Sequence, residues 1–166
     1  EKLAAEIRSA AAVSGALIIP AFAVERTQEL IVDIIDLMER DEVQVGPVFL
    51  DSPLAIRATE VFRKHASSLD TDVDIERILR SDHLRFTESV DDSKAIEKLT
   101  GFHIIITASG MCDAGRIRHH LKNWLWRKNA TVLLVGFQAQ GTLGRFLVDG
   151  AKAVRIQGEE IRVNAR

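Results

Sequence analysis

The chain has 166 residues, 46% hydrophobic and 28% charged, which suits one globular domain with a core on both sides of a sheet. Its net charge of −2 excludes a polycation that meets nucleic acid with its whole surface, so a phosphate contact has to come from a local patch. The single cysteine, Cys112, excludes an internal disulfide and a cysteine-built zinc site, and it fits a reducing, cytoplasmic setting.

Lys2 to Ala12 reads as a helix and Ala16 to Ile19 as a buried strand followed by Pro20. The apolar stretch from Ala10 to Val24 has the outward form of a secretion signal, with Lys2 and Arg8 before it and Ala21-Phe22-Ala23 inside it. Ser14-Gly15 and Pro20 interrupt that stretch, it is too short to span a bilayer, and Glu1 and Glu6 precede it, so no membrane contact is expected. The chain opens on Glu1 rather than Met and is expected to be a piece excised from a longer protein.

Arg26 to Arg40 is an amphipathic helix with Leu30, Ile31, Ile34, Ile35 and Met38 on one side. A second strand, Val48-Phe49-Leu50, follows the Gly46-Pro47 break and leads through Asp51-Ser52-Pro53 into a helix reaching about His65. Ser52 serves there as N-cap, with Pro53 at the first helical position. Ser68 to Asp92 is polar and irregular, with a short helix around Ile75 to Leu79, and is a candidate mobile or partner-facing segment.

Ser93 to Leu99 reads as a short helix, Ile104 to Thr107 as the third strand and Thr131 to Val135 as the fourth. Between those two strands, Ala108-Ser109-Gly110-Met111 leads into a basic amphipathic helix. Arg116, Arg118, Lys122, Arg127 and Lys128 occur there with His119 and His120 and no acidic residue. Ile117, Leu121, Trp124 and Leu125 form its buried stripe, and Arg116, His120, Asn123 and Arg127 a neighbouring polar one. Ala153 to Ile156 and Glu160 to Val163 flank Gln157-Gly158-Glu159 as a terminal hairpin.

Short, continuously apolar strands separated by helices predict a three-layer α/β/α sandwich with a mostly parallel sheet and a C-terminal β-hairpin. Ligands of such sheets gather outside the carboxyl ends of the strands. Here those ends carry the loops 21–27, 51–52, 107–115 and 136–145. The loop at Ser109-Gly110 resembles an anion corner, since unpaired N–H groups at a helix start face negative charge.

Other chemistries are poorly supported. Gly136 and Gly141-Thr142 keep part of a Walker spacing but lack the lysine, and no Gly-x-Gly-x-x-Gly follows a strand. His119 and His120 point about 100° apart on a helix and cannot chelate one metal together. His65, His83 and His103 are isolated, and Asp113 reads as the cap of the basic helix. Ser109 with His120 suggests a nucleophile and base, but no orienting carboxylate is apparent.

The segments IIPAFAVERTQEL (Ile18 to Leu30), VFLDSPLAIRATEVF (Val48 to Phe62), ITASGMCDAGRIRHHLKNWL (Ile106 to Leu125), VLLVGFQAQGTLGR (Val132 to Arg145) and VRIQGEEIRV (Val154 to Val163) resemble, in order, the beta-CASP domain. That domain is the insert of RNA-processing nucleases in the metallo-beta-lactamase superfamily. The resemblance implies a cap over a two-zinc domain of the same protein, with single-stranded RNA in the cleft between them. The family's His-x-His-x-Asp-His string is not in this sequence, and neither is its Ser-x-His segment. The resemblance therefore places both zinc ions and all catalytic residues outside the 166 residues, and no catalytic or metal-binding residue is assigned here.

By the same resemblance, Ser109 and Gly110 offer a hydroxyl and a backbone N–H to phosphate, Arg116 and His120 add donors, and Gln138, Gly141 and Thr142 form the neighbouring wall. Arg26 and Ser52 complete the candidate set; Arg26 alternatively fixes its own loop and Ser52 only caps its helix. Arg116→Ala is expected to weaken RNA engagement without loss of stability. A non-catalytic protein-interaction domain and a free-standing α/β enzyme for a small phosphorylated substrate are the alternatives, and oligomeric state stays open.

Overall fold

The computed structural model describes residues 1–68 and 73–166. Strands β1 (Ala16–Pro20), β2 (Val48–Leu50), β3 (Leu84–Phe86), β4 (His103–Thr107) and β5 (Thr131–Val132) form one parallel sheet in the order β3-β2-β4-β1-β5. β1 pairs with β4 over its whole length, from Ala16 opposite His103 to Pro20 opposite Thr107. Parallel strands need crossovers, which α2 (Arg26–Glu39), α3 (Pro53–Lys64), α4 (Ile75–Leu79), α5 (Val90–Ala95) and α6 (Ile117–Trp124) supply, while α1 (Lys2–Ala12) precedes the sheet and α7 (Leu143–Val148) follows it.

Side chains of each strand alternate between two cores. Leu17, Ile19, Leu50, Ile104 and Ile106 join the core under α1, α2, α3 and α4. Ala16, Ile18, Phe49 and Ile105 join the opposite one, under α6, Leu143 of α7 and Ile96. Burial on both sides explains why the central strands read as unbroken apolar runs, and truncating Ile105 to Ala at its fully buried position should cost about 2–5 kcal/mol. Strands β6 (Ala153–Ile156) and β7 (Glu159–Arg162) pair antiparallel. Gln157 and Gly158 turn between them with φ of 51° and 82°, the left-handed pair that a two-residue hairpin requires. The three-layer sandwich and hairpin expected from the sequence are therefore present.

Several boundaries differ from expectation. The segment read as irregular contains β3, a three-residue edge strand whose Arg85 and Phe86 are exposed, too short and too polar to show a period. Residues 69–72 of that segment lie outside the described residues. The fourth expected strand is β5, which stops at Val132, where the backbone N–H donates to Arg166 O instead of to a further strand. The helix expected at Ser93 begins at Val90 because Ser89 Oγ accepts from Asp92 N at 3.0 Å, and it tightens into a 3-10 turn over Ile96–Lys98. The basic helix ends at Trp124, and Arg127 instead folds back over the Trp124 ring at 4.0 Å.

Candidate nucleic-acid interface

The sheet delivers its loops to one rim. Beyond the strand ends the ladder continues by one residue, with Ala21 N donating to Thr107 O at 3.0 Å, Asp51 N to Ile106 O at 2.9 Å and Thr87 N to Leu50 O at 3.2 Å. Asp51 follows Phe49 by two positions and so points to the same face, beneath α6.

There the Asp51 carboxylate, fully buried, accepts four hydrogen bonds. Thr87 Oγ1 at 2.8 Å and Arg116 at 2.7 Å reach Oδ1, while Ser93 Oγ at 2.6 Å and His120 Nε2 at 2.5 Å reach Oδ2. Four donors match the roughly four lone-pair positions of a carboxylate. Because an ionised carboxylate only accepts, His120 donates from Nε2, and its Nδ1 is buried without a partner among the described residues. Burial alone would raise the Asp51 pKa, but the hydrogen bonds from His120 and Ser93, the His120 charge and Thr87 outweigh it and bring it down to about 2.

Arg116 also donates to Thr87 O at 2.7 Å and Glu88 O at 2.6 Å, and Thr107 Oγ1 donates to Asp51 O at 2.7 Å. The strand ends of β2, β3 and β4 and the helices α5 and α6 thus meet on one residue, Asp51, with β4 held through its backbone carbonyl and the rest through its carboxylate. Arg116 and His120 do share a helix face, as expected, but that face is turned inward. His120 is fully buried and only 19% of the Arg116 side chain is exposed. The carboxylate that orients them lies 69 residues before His120, a separation across which sequence gave no pairing signal.

The other candidates lie in the strand-end loops. Ser109 N donates to Ala114 O at 3.1 Å, Ser109 Oγ accepts from Ala114 N at 3.3 Å, and Ile117 N donates to Ala108 O at 3.2 Å. The first N–H of α6 is therefore already engaged by its own loop. Asp113 does not cap α6: its Oδ1 accepts from Leu143 N at 2.9 Å, at the start of α7, while α6 has Arg116 at its N-cap position with no side-chain cap.

Gln138 Nε2 donates to Gly110 O at 2.9 Å and to Gly136 O at 3.1 Å, fastening the loop after β5 to the loop after β4. Gly144 allows this contact, since a Cβ there would stand 1.8 Å from Gln138 Oε1 and 3.1 Å from Met111 O. Thr142 caps α7 by accepting from Arg145 N at 3.2 Å, and Gly141 beside it is open to solvent. Ser52 caps α3, accepting from Ala55 N at 3.3 Å, and is buried away from the rim surface. Arg26 pairs with Glu29 at 3.1 Å, both side chains being 52% exposed.

A concavity of about 200 Å³ opens where these loops meet, lined by Phe22 and Arg26 after β1, Gly110 after β4, and Gly136-Phe137 after β5. Phe22 is 48% and Phe137 75% exposed. Neither was singled out in the sequence; the available signal was a phenyl ring between small residues in a strand-end loop, as in Ala21-Phe22-Ala23 and Gly136-Phe137-Gln138. A ring-flanked hollow with a guanidinium at its edge offers a stacking surface and a cation side by side.

Zinc ions do not fit the residues present. Among the described residues no three His, Cys, Asp or Glu side chains gather as a ligand set. The His120–Asp51 pair has its carboxylate occupied by three further donors. Burial, with the Asp113 charge, pushes the Cys112 thiol up to about 12.

A family model described as the Beta-Casp domain matches residues 27–147. Ribonuclease TTHA0252 of Thermus thermophilus is 33% identical over 91% of this chain and 36% of that protein. Probable RNase MJ4 and an RNase J-like protein, both of Methanocaldococcus jannaschii, are 31% and 32% identical over 90% and 85% of the chain, and over 33% and 32% of their own lengths. The chain thus spans about a third of the length of these curated relatives.

Proposed function

This chain belongs to the Beta-Casp family, and from that membership we propose that its strand-end rim holds single-stranded RNA for cleavage by a zinc-dependent, metallo-beta-lactamase-fold domain of the same protein. The observation that carries the proposal is the hollow lined by Phe22, Phe137, Arg26 and Gly110, with both phenyl rings exposed. Bases stack on exposed rings whatever their sequence, and a guanidinium meets the phosphate. The ribonucleases among its relatives support the same substrate class.

In this reading the residues divide by reach. Phe22, Phe137, Arg26, Ser109 and Gly110 face the strand, and Gly141 and Thr142 continue the wall. Gln138 fixes the two loops against each other, and Arg116 and His120 act through Asp51 by holding the strand ends in register. Hydrolysis belongs to metal ligands outside these residues; this chain positions the RNA.

Titrating labelled single-stranded RNA against the full-length protein at several salt concentrations tests the proposal. Arg26 is the one cation of the pair, so combined Arg26→Ala and Ser109→Ala substitutions should weaken binding and make the slope of log K against log salt shallower by about 0.7. An unchanged slope and affinity in that variant would remove the rim from the RNA path.

A further inference from the structure

A concavity of about 440 Å³ lies beside the rim hollow, between α6, α7 and the hairpin. Its volume falls in the range of about 300–1,000 Å³ typical of small-ligand sites. Leu143 and Val154 form an apolar floor, and Phe146, 51% exposed, stands at the side. Arg118 and Arg155 enter from α6 and the hairpin.

Arg118 is two residues from both Arg116 and His120, so it leaves α6 on the side away from Asp51. Arg155 is steadied by donating to Gly158 O at 3.1 Å. Neither guanidinium forms an ion pair among the described residues, unlike Arg116 on the opposite side of α6. The one carboxylate in the lining, Asp113, already accepts from Leu143 N. Two arginines that form no ion pair among the described residues, beside an exposed phenyl ring and an apolar floor, match a nucleotide: phosphate at the arginines, base against the ring.

Position identifies the source of that nucleotide. The same two strand-end loops border both hollows: Gly110 lines the rim hollow and Cys112 and Asp113 this one, and Gly136-Phe137 line the rim hollow and Gly141 and Leu143 this one. Resting on the functional reading above, we propose that this hollow is a second subsite for the same single-stranded RNA, taking a nucleotide that lies beyond those held at the rim.

The test compares binding of short and longer single-stranded RNA, about four and about twelve nucleotides, to the full-length protein and to its Arg118→Ala/Arg155→Ala and Phe146→Ala variants. The arginine variant should bind the longer RNA about tenfold more weakly, with a salt slope shallower by about 1.4, and bind the short RNA as before. Phe146→Ala should weaken the longer RNA by about fivefold or more, and melting temperatures should be unchanged for both.

Unchanged affinity and slope for the longer RNA overturn the subsite while leaving the rim reading standing. Intact RNA binding with loss of binding to a polyglutamate peptide overturns it in favour of an acidic protein partner. If the unaltered protein binds neither RNA, the rim reading and the subsite fall together.

Discussion

Asp51 and His120, 69 residues apart, meet in a fully buried hydrogen bond at 2.5 Å, and Arg116 closes on the other oxygen of the same carboxylate. Asp51→Ala would leave a buried guanidinium edge, an imidazole N–H and two hydroxyls without their acceptor. Breaking a buried charge pair from one side costs about 3–5 kcal/mol. The expected outcome is a large fall in melting temperature; a loss below about 1 kcal/mol would contradict the central role given to this carboxylate.

Arg116→Ala should also destabilise, by about 1.5–3 kcal/mol, because it removes charge-assisted bonds to Asp51, Thr87 O and Glu88 O. This reverses the expectation from sequence, where Arg116 was a surface donor. Thermal melts and RNA titrations on the same variant decide: lost stability with unchanged affinity per folded molecule is predicted, and the opposite pattern would return Arg116 to the RNA surface.

Stability should fall with acid in two steps. Burial first, with the charges of His120 and Arg127, lowers the His103 pKa against a raising bond to Gly101 O. A folded pKa below the unfolded 6.5 means that the unfolded chain binds more protons as pH drops through 6.5, so stability declines from there. Asp51, at about 2 in the fold against 3.8 otherwise, contributes stability that is present above 3.8 and lost as pH falls through about 2. Denaturant melts across pH should show both steps, with His103→Phe reducing the first; a flat profile between pH 6.5 and 4 would contradict the assignment.

The layers were legible in the sequence because burial on both faces makes the central strands uniformly apolar, as in His103-Ile104-Ile105-Ile106, and because Ser52-Pro53 marks a helix start unambiguously. Edge strands carry half that signal, which is why β3 at Leu84–Phe86 went unread and β5 was drawn too long. The site was legible as loops and not as partners. Periodicity showed that Arg116 and His120 share a face, but the direction of that face depended on Asp51, whose orientation follows only once β2, β3 and β4 are aligned.

Gly144→Ala probes the fastening of the rim. Its Cβ would collide with the Gln138 amide, 1.8 Å away, and crowd Met111 O. Displacing Gln138 releases its bonds to Gly110 O and Gly136 O, and overpacking costs about 1–3 kcal/mol. The variant should be less stable and should bind single-stranded RNA more weakly even below its melting transition. RNA affinity equal to the parent's would show that the two loops need no mutual fastening.

Ultraviolet crosslinking of single-stranded RNA to the full-length protein, with the attached peptides mapped, tests the rim most directly. Bases stacked on Phe22 and Phe137 should place crosslinks within residues 21–26 and 136–138, and Phe137→Ala should remove those in the second group while leaving the exposed position's stability within about 0.5 kcal/mol. Crosslinks in this chain confined to other segments, with none in either group, would contradict the assignment of the rim to RNA.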